Sequence, residues 1–460
     1  MTAVRVARKR LDVDLPALRY GLRACLRPPD RAGTERRLAA TWSPPDAVVA
    51  CLSARSGLDL LLAAVDWPAG SEVLLSALSI PHLPLLVRSH GYVPVAVDVH
   101  PATLQLDPDA VRRAITPRTR ALLHAQLLGA SDDLADVAAV AGRHGLLLVE
   151  DRAQAYDGRD RALGLHADVV LHSFGTIKTL TCCGGGVLLV RDPVLRARMR
   201  AAQGGWPTQP TRSYAAKLVR GALMLALAHP RVYPHFVRLA ARVAGDHDVL
   251  VRRLSRGYAD DDLLGQLRHR PSTALLALLA HRLEHDDPVR VQRRARAGER
   301  LADALDPHVR RLGARASRRT HWLFPVVADD PEGLVLAGRA AGFDLTRGSS
   351  TLVALDPACA RAQAAMAGVV YLPAYPEMGD AALDRLAAVV NAASRPVAGA
   401  RDREAAREEA AQAGRSSTAA VPSAAVTLPV QPRPAKVSVG SEPSAPAVTV
   451  KPAAGSARRR

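Results

Sequence analysis

The chain has 460 residues, 48% of them hydrophobic, which is enough for a large buried core and more than one domain. Its opening, MTAVRVARKRLDVDLP, breaks its apolar positions with arginines, and no run reaches the roughly 18 apolar residues of a membrane span, so neither a secretory leader nor a transmembrane helix is expected. Five scattered cysteines argue against a disulfide framework and against a paired metal site, and the net charge of +18 comes without an aromatic-interleaved basic stripe or a zinc finger, so a reducing cytoplasm and a solvated arginine-rich surface are expected and nucleic acid is not.

Between residues 47 and 192 short β-type runs alternate with helical stretches: AVVACL, EVLLSAL, VPVAVDV, ALLHAQLLG, GLLLVED, DVVLHSF and GGVLLVRD. Segments such as LDLLLAAVDW, DPDAVRRAIT and DLADVAAVAGRHG carry apolar residues at helical spacing between them. The pattern predicts an α/β fold around a seven-stranded, mainly parallel sheet, with the last two strands too close together to enclose a helix and therefore antiparallel. Residues 207–256 interrupt this order as a basic helical insertion. From residue 271 a helical pattern leads into HWLFPVVA, VVYLP and DAALDRLAAVVNAA, a smaller α+β segment. The Ala/Pro/Ser-rich stretch 396–460 lacks large apolar residues and is expected to be a disordered tail. The resulting division is an N-terminal segment 1–34, a large domain 35–310 carrying the insertion, a small domain 311–395 and the tail.

The chemistry concentrates between Leu146 and Asp192. Strand LLLVED ends in Asp151, with Gln154 three residues on, at the carboxyl edge where α/β sheets bind ligands. Strand DVVLHSF delivers Ser173 and, five residues later, Lys178, before the run Gly184–Gly186. Only five lysines stand among 62 Lys+Arg: Lys9, Lys178, Lys217, Lys436 and Lys451. Arginine cannot form a Schiff base, so a lysine kept after a core strand points to a use for its amine. Upstream, SARSGLDLLLAAV opens a helix at Ser53 whose free N–H groups suit an anion, with Arg55 and Ser56 in its first turn. Each residue also has an ordinary role open to it: Asp151 or Ser53 as a helix cap, Ser173 in a turn, Lys178 as a loop cation.

Taken together, V-E-D-x-A-Q, S-F-x-x-x-K and G-G-G-V resemble the DegT/DnrJ/StrS-type sugar aminotransferases, a branch of pyridoxal-phosphate (PLP) fold type I. The resemblance covers roughly residues 35 to 395, including AITPRTRALLHAQLLGASDDLADVAAVAGRHGLLLVEDRAQA and YLPAYPEMGDAALDRLAAVV. It implies PLP as cofactor, held by Lys178 as a Schiff base, with Asp151 on the pyridine nitrogen, Gln154 on the ring hydroxyl, and Ser173, Arg55 and Ser56 at the phosphate. It further implies transfer of an amino group from glutamate to a nucleotide-linked keto sugar, and a homodimer in which Arg270 lies near the neighbour's site. Three departures stand out. Ala54 and Arg55 replace the family's usual glycine and threonine, Ile80 with His82 two residues on replaces its stacking aromatic, and Arg268–Pro271 retains only one arginine of its N-Y-R-M motif. They motivate a different-class alternative, a catalytically degenerate scaffold. A PLP-dependent sugar dehydratase would carry histidine in place of Lys178. The insertion, with its eight-residue apolar stretch GALMLALA edged by Lys217 and Arg220, suits the headgroup boundary of an anionic membrane, as for an enzyme of surface-polysaccharide assembly, and equally suits packing on its own domain.

Overall fold

The structure is a computed structural model and describes residues 4–159, 161–244, 248, 251 and 262–395. The expected tail, 396–460, and most of the insertion after residue 244 lie outside the described residues. In chain order the strands are β1 (Val48–Cys51), β2 (Glu72–Ser76), β3 (Leu78–Ser79), β4 (Val93–Val97), β5 (Thr119–Ala125), β6 (Ala130–Ser131) and β7 (Leu147–Asp151). They continue with β8 (Val169–Ser173), β9 (Gly186–Val190), β10 (Arg310–Arg311), β11 (Arg318–Arg319), β12 (Phe324–Val327), β13 (Val353–Ala354) and β14 (Val369–Leu372).

Seven of these form one sheet in the order β1-β9-β8-β7-β5-β2-β4. They coincide with the seven apolar runs of the sequence, and only β9 runs antiparallel to its neighbours β8 and β1. The period-two geometry of a strand explains why the runs are continuously apolar. Val73 and Leu75, Ala121 and Leu123, Val149, Val169 and Leu171, Leu188 and Val190 enter the core on one face. The residues between them, Leu74, Leu122, Leu148, Val170, Val187 and Leu189, enter the core on the other. Each fully buried Val or Leu stabilises by about 1.5–3 kcal/mol, so a polar residue at any of these positions opposes the fold.

The helix Ala54–Ala64 covers one face through Leu58, Leu60, Leu61 and Leu62. The helix Thr273–Glu284 is buried almost all round, from Ala274 to Ala280, because helices Leu15–Leu26, Arg31–Ala40 and Thr211–Leu227 pack on it. The helical pattern after residue 271 divides here: Asp287 caps a new helix, Pro288–Ala304, with proline in its first turn, where the missing N–H costs nothing.

The second sheet, β10-β12-β14, is antiparallel and holds its own core with helices Pro331–Ala340 and Asp380–Ala393. That core also takes Leu301, Ala302 and Leu305, ahead of the boundary expected at 311, and residues Met1–Arg395 form one compact unit. The N-terminal segment is bound into this part: Asp344 N–H donates to the Val6 carbonyl at 3.0 Å, and Arg5 N–H to the Gly342 carbonyl at 2.8 Å. In the insertion, Thr211–Leu227 buries Tyr214, Leu218 and Gly221, while Val219 and Leu223 face outward. No described helix is long and apolar enough to cross a membrane.

Candidate active site

Parallel strands β7 and β8 lie side by side and end on the same edge, which places Asp151 and Ser173 together, while β1 leads through Ser53 into the helix Ala54–Ala64. β9 enters at this edge, and Gly185, at φ +94°, bridges Ser53. A Cβ on Gly186 would stand 2.5 Å from Ala54 N and 2.6 Å from the Ser53 carbonyl carbon, so the close approach of the two loops requires glycine.

Lys178 is half-buried in the turn after β8. Its Nζ lies 4.1 Å from the centroid of the Trp322 ring, whose Nε1–H is anchored on the Ile177 carbonyl at 2.9 Å. Burial pushes the Lys178 ammonium down to about 7, opposed by Asp151 and aided by Arg55. Asp151 accepts the Ala153 N–H at 2.8 Å, and burial raises its carboxyl above the usual range against the pull of that N–H and of Lys178. The Gln154 side-chain oxygen accepts the Leu128 N–H at 3.0 Å, which turns its amide nitrogen the other way. The Ser173 hydroxyl accepts the Gly175 N–H at 3.5 Å. Leu128, Leu180, Cys183 and His321 all adopt positive φ in the loops around these residues, a concentration of backbone strain of the kind that surrounding structure must enforce.

The helix start is built as the sequence suggests, with Ser53 Oγ accepting the Ser56 N–H at 3.1 Å. Arg55 lies close enough to act electrostatically on both Asp151 and Lys178. Ser56 does not join them: fully buried, it donates its hydroxyl to the Leu267 carbonyl at 2.8 Å and so ties the helix to the following segment. His82 opens the helix His82–Ser89, and Ile80 is partly buried against both faces' cores. Arg268 forms a two-pronged pair with buried Asp59, at 2.9 and 3.1 Å, and His90 contacts the same carboxylate at 2.8 Å. Arg270 bridges Thr208, and its Nε is buried without a hydrogen-bond partner among the described residues.

Sequence reasoning missed two residues that stand at Lys178. Lys9 Nζ lies 3.9 Å from the centroid of the same Trp322 ring, so two of the five lysines meet over one indole. The scarcity of lysine was a signal for Lys9 as much as for Lys178. Trp322 offered none beyond its place in an apolar run.

Residues 31–219 match the family model described as DegT/DnrJ/EryC1/StrS aminotransferase family. The chain is 39% identical over 170 residues to an L-glutamine:2-deoxy-scyllo-inosose aminotransferase of Streptomyces kanamyceticus, covering 36% of this chain and 40% of that one. It is 35% identical over 211 residues to a dTDP-3-amino-3,4,6-trideoxy-alpha-D-glucose transaminase of Streptomyces venezuelae, covering 44% and 55%. The chain thus spans about half the length of these curated relatives or less. Among solved structures, the aminotransferase TlmJ from Streptoalloteichus hindustanus superposes with a TM-score of 0.61 at 21% identity, over 85% of this chain and 98% of that one, which shows a shared fold.

Proposed function

We propose that this chain, which matches the DegT/DnrJ/EryC1/StrS aminotransferase family model over residues 31–219, is a PLP-dependent aminotransferase acting on a keto sugar or keto-cyclitol. The observation that carries the reading is Lys178, an amine lowered to about 7 at the carboxyl edge of the sheet beside Asp151. The donor set fits the cofactor. A primary amine is present to take its aldehyde, Asp151 to face its ring nitrogen, Gln154 its ring hydroxyl, and Ser173 with Arg55 at a helix N-terminus to hold its phosphate. When bound, the group supplies an electron sink for the substrate's α-carbon. Lys178 then holds and moves the proton at that carbon, and an amine poised near neutrality serves both as acid and as base. The Asp151 carboxylate would keep the ring nitrogen protonated.

The experiment is direct. Purified protein should be yellow, borohydride should fix the cofactor's mass on the Lys178 peptide, and Lys178→Arg should lose transamination by at least a thousandfold while folding normally. Colourless protein, or turnover by Lys178→Arg, would refute the reading.

The finer readings are a nucleotide-linked acceptor, glutamate as the donor and a homodimer. The buried, unpartnered Arg270 Nε supports an Arg270 that meets a group from the partner subunit, and the mass in solution checks this. A second reading adds peripheral contact with an anionic membrane in surface-polysaccharide assembly, supported by exposed Val219 and Leu223 on Thr211–Leu227 and exposed Leu239 and Val243 on Tyr233–Ala244. Failure to float with anionic vesicles would remove it.

A further inference from the structure

Beside Lys178 lies a narrow recess lined by six basic side chains and a single acid, Asp12. Three of those cations already have carboxylates. Arg8 binds Asp344 at 2.7 and 3.0 Å, Arg10 lies 3.9 Å from Glu377, and Arg290 pairs with Asp12 and, at 2.9 Å, with Glu377. Asp12 is itself engaged further, accepting the Leu180 N–H at 3.0 Å.

Besides Lys178, that leaves Lys9 and Arg294, each with a buried nitrogen that has no hydrogen-bond partner among the described residues. Lys9 Nζ is buried against Trp322 and has no hydrogen-bond partner among the described residues. Arg294 is 7% exposed. Its Nε donates to the Thr320 carbonyl at 2.9 Å and its Nη1 stands 4.0 Å from Asp12, while its Nη2 is buried with no partner among the described residues. Burial, with Lys178 and Arg294 close by, pushes the Lys9 ammonium well below its ordinary value, and an oxyanion bound beside Lys9 and Arg294 would offset that cost and restore the charge.

We propose that Lys9 and Arg294 form a subsite for the carboxylate of the amino-acid donor. The inference rests on the aminotransferase reading and deepens it. Lys9 and Lys178 lie 3.9 and 4.1 Å from the centroid of one ring, so an anion held by Lys9 carries its attached atoms to the neighbourhood of the reactive amine. Of the two substrates of such a reaction, the donor is the one that bears a carboxylate and an amine on the same small skeleton. The segment that delivers Lys9 is fixed on both sides of it, by Val6 on Phe343 and by Asp12 on Leu180, so the ammonium is positioned before any ligand arrives. A phosphate group is the other source of a small oxyanion, and the test separates the two.

The test uses the full-length, cofactor-loaded protein and glutarate, a dicarboxylate that has no amine and cannot react. Calorimetry and tryptophan fluorescence should report binding that weakens at least tenfold in Lys9→Gln and is largely retained in Lys9→Arg, with Arg294→Lys as a second variant. Inorganic phosphate and dTDP serve as competitors. Equal glutarate binding by wild type and Lys9→Gln, or no binding by wild type, overturns the subsite. Displacement of glutarate by phosphate at lower concentration overturns its assignment to the donor. Colour and borohydride trapping at Lys178 are read on the same samples. A yellow protein without Lys9-dependent binding therefore refutes the subsite alone, and a colourless one that binds glutarate through Lys9 refutes the cofactor reading alone.

Discussion

Lys178 owes its low pKa to opposed neighbours: burial and Arg55 push the ammonium down to about 7, and Asp151 pulls it back up. Removing the carboxylate therefore lowers it further. In protein stripped of cofactor, the rate at which Lys178 is labelled by an amine reagent should rise with pH through about 7, and Asp151→Asn should shift that midpoint to lower pH. A midpoint near the ordinary lysine value of 10.5, or a shift upward in Asp151→Asn, would show that the two groups do not interact as described. The neighbouring thiols have the opposite character. Burial pushes Cys182 up to about 12 and Cys183 to about 11, so both stay protonated and serve as packing, with Cys183 Sγ filling the space that Gly221 leaves.

At the level of elements, the site depends on how closely β9 and the loop after β1 approach. Gly186→Ala would press a methyl group into the backbone of Ser53 and Ala54, which cannot yield as a flexible side chain can. Overpacking of this kind costs about 1–3 kcal/mol. The displaced helix start should also weaken cofactor retention by more than tenfold. Gly142, within Ala135–Arg143, has nothing within 4 Å of the equivalent position, so Gly142→Ala should be neutral or stabilise by roughly 0.5–1 kcal/mol. Urea unfolding and cofactor release of the two variants check this, and equal behaviour would show that the approach is not tight. The helix Ala54–Ala64 is also anchored further along, where Arg268 and His90 hold buried Asp59 and lower its pKa against the effect of burial.

For the whole molecule, two buried histidines set an acid limit. Burial lowers His172 to about 3 and His124 to about 4, from an ordinary 6.5. The folded chain thus refuses protons that the unfolded chain accepts below pH 6.5. Their contribution is fully present above that pH and is lost as the pH falls toward 4 and 3, at up to about 1.4 kcal/mol per pH unit for each proton. The His172 ring lies among aromatic neighbours, with the Trp42 ring centroid at 4.8 Å and that of Tyr156 at 6.0 Å, and neither of its nitrogens has a hydrogen-bond partner among the described residues. His172→Phe should therefore flatten the fall in melting temperature between pH 6.5 and 4. An unchanged slope would place the acid sensitivity elsewhere.

The sequence by itself determined the seven strands, the antiparallel turn of β9 and the edge carrying Asp151, Ser173 and Lys178, because period-two burial on both faces and the short β8–β9 connection are local properties. The cap at Ser53 was legible for the same reason, since its partner Ser56 is three residues away. What only the tertiary structure decided depends on contacts across long separations. Lys9 reaches Trp322, 313 positions on in the chain, through a segment bound to Phe343, and Arg268 is taken up by Asp59 through a pair 209 residues apart. Ser56 looks like a phosphate contact in its local motif, yet the Leu267 carbonyl claims its hydroxyl. Such pairings leave no trace in spacing or periodicity, because the free energy of a buried charge or hydroxyl depends on which groups the fold brings beside it.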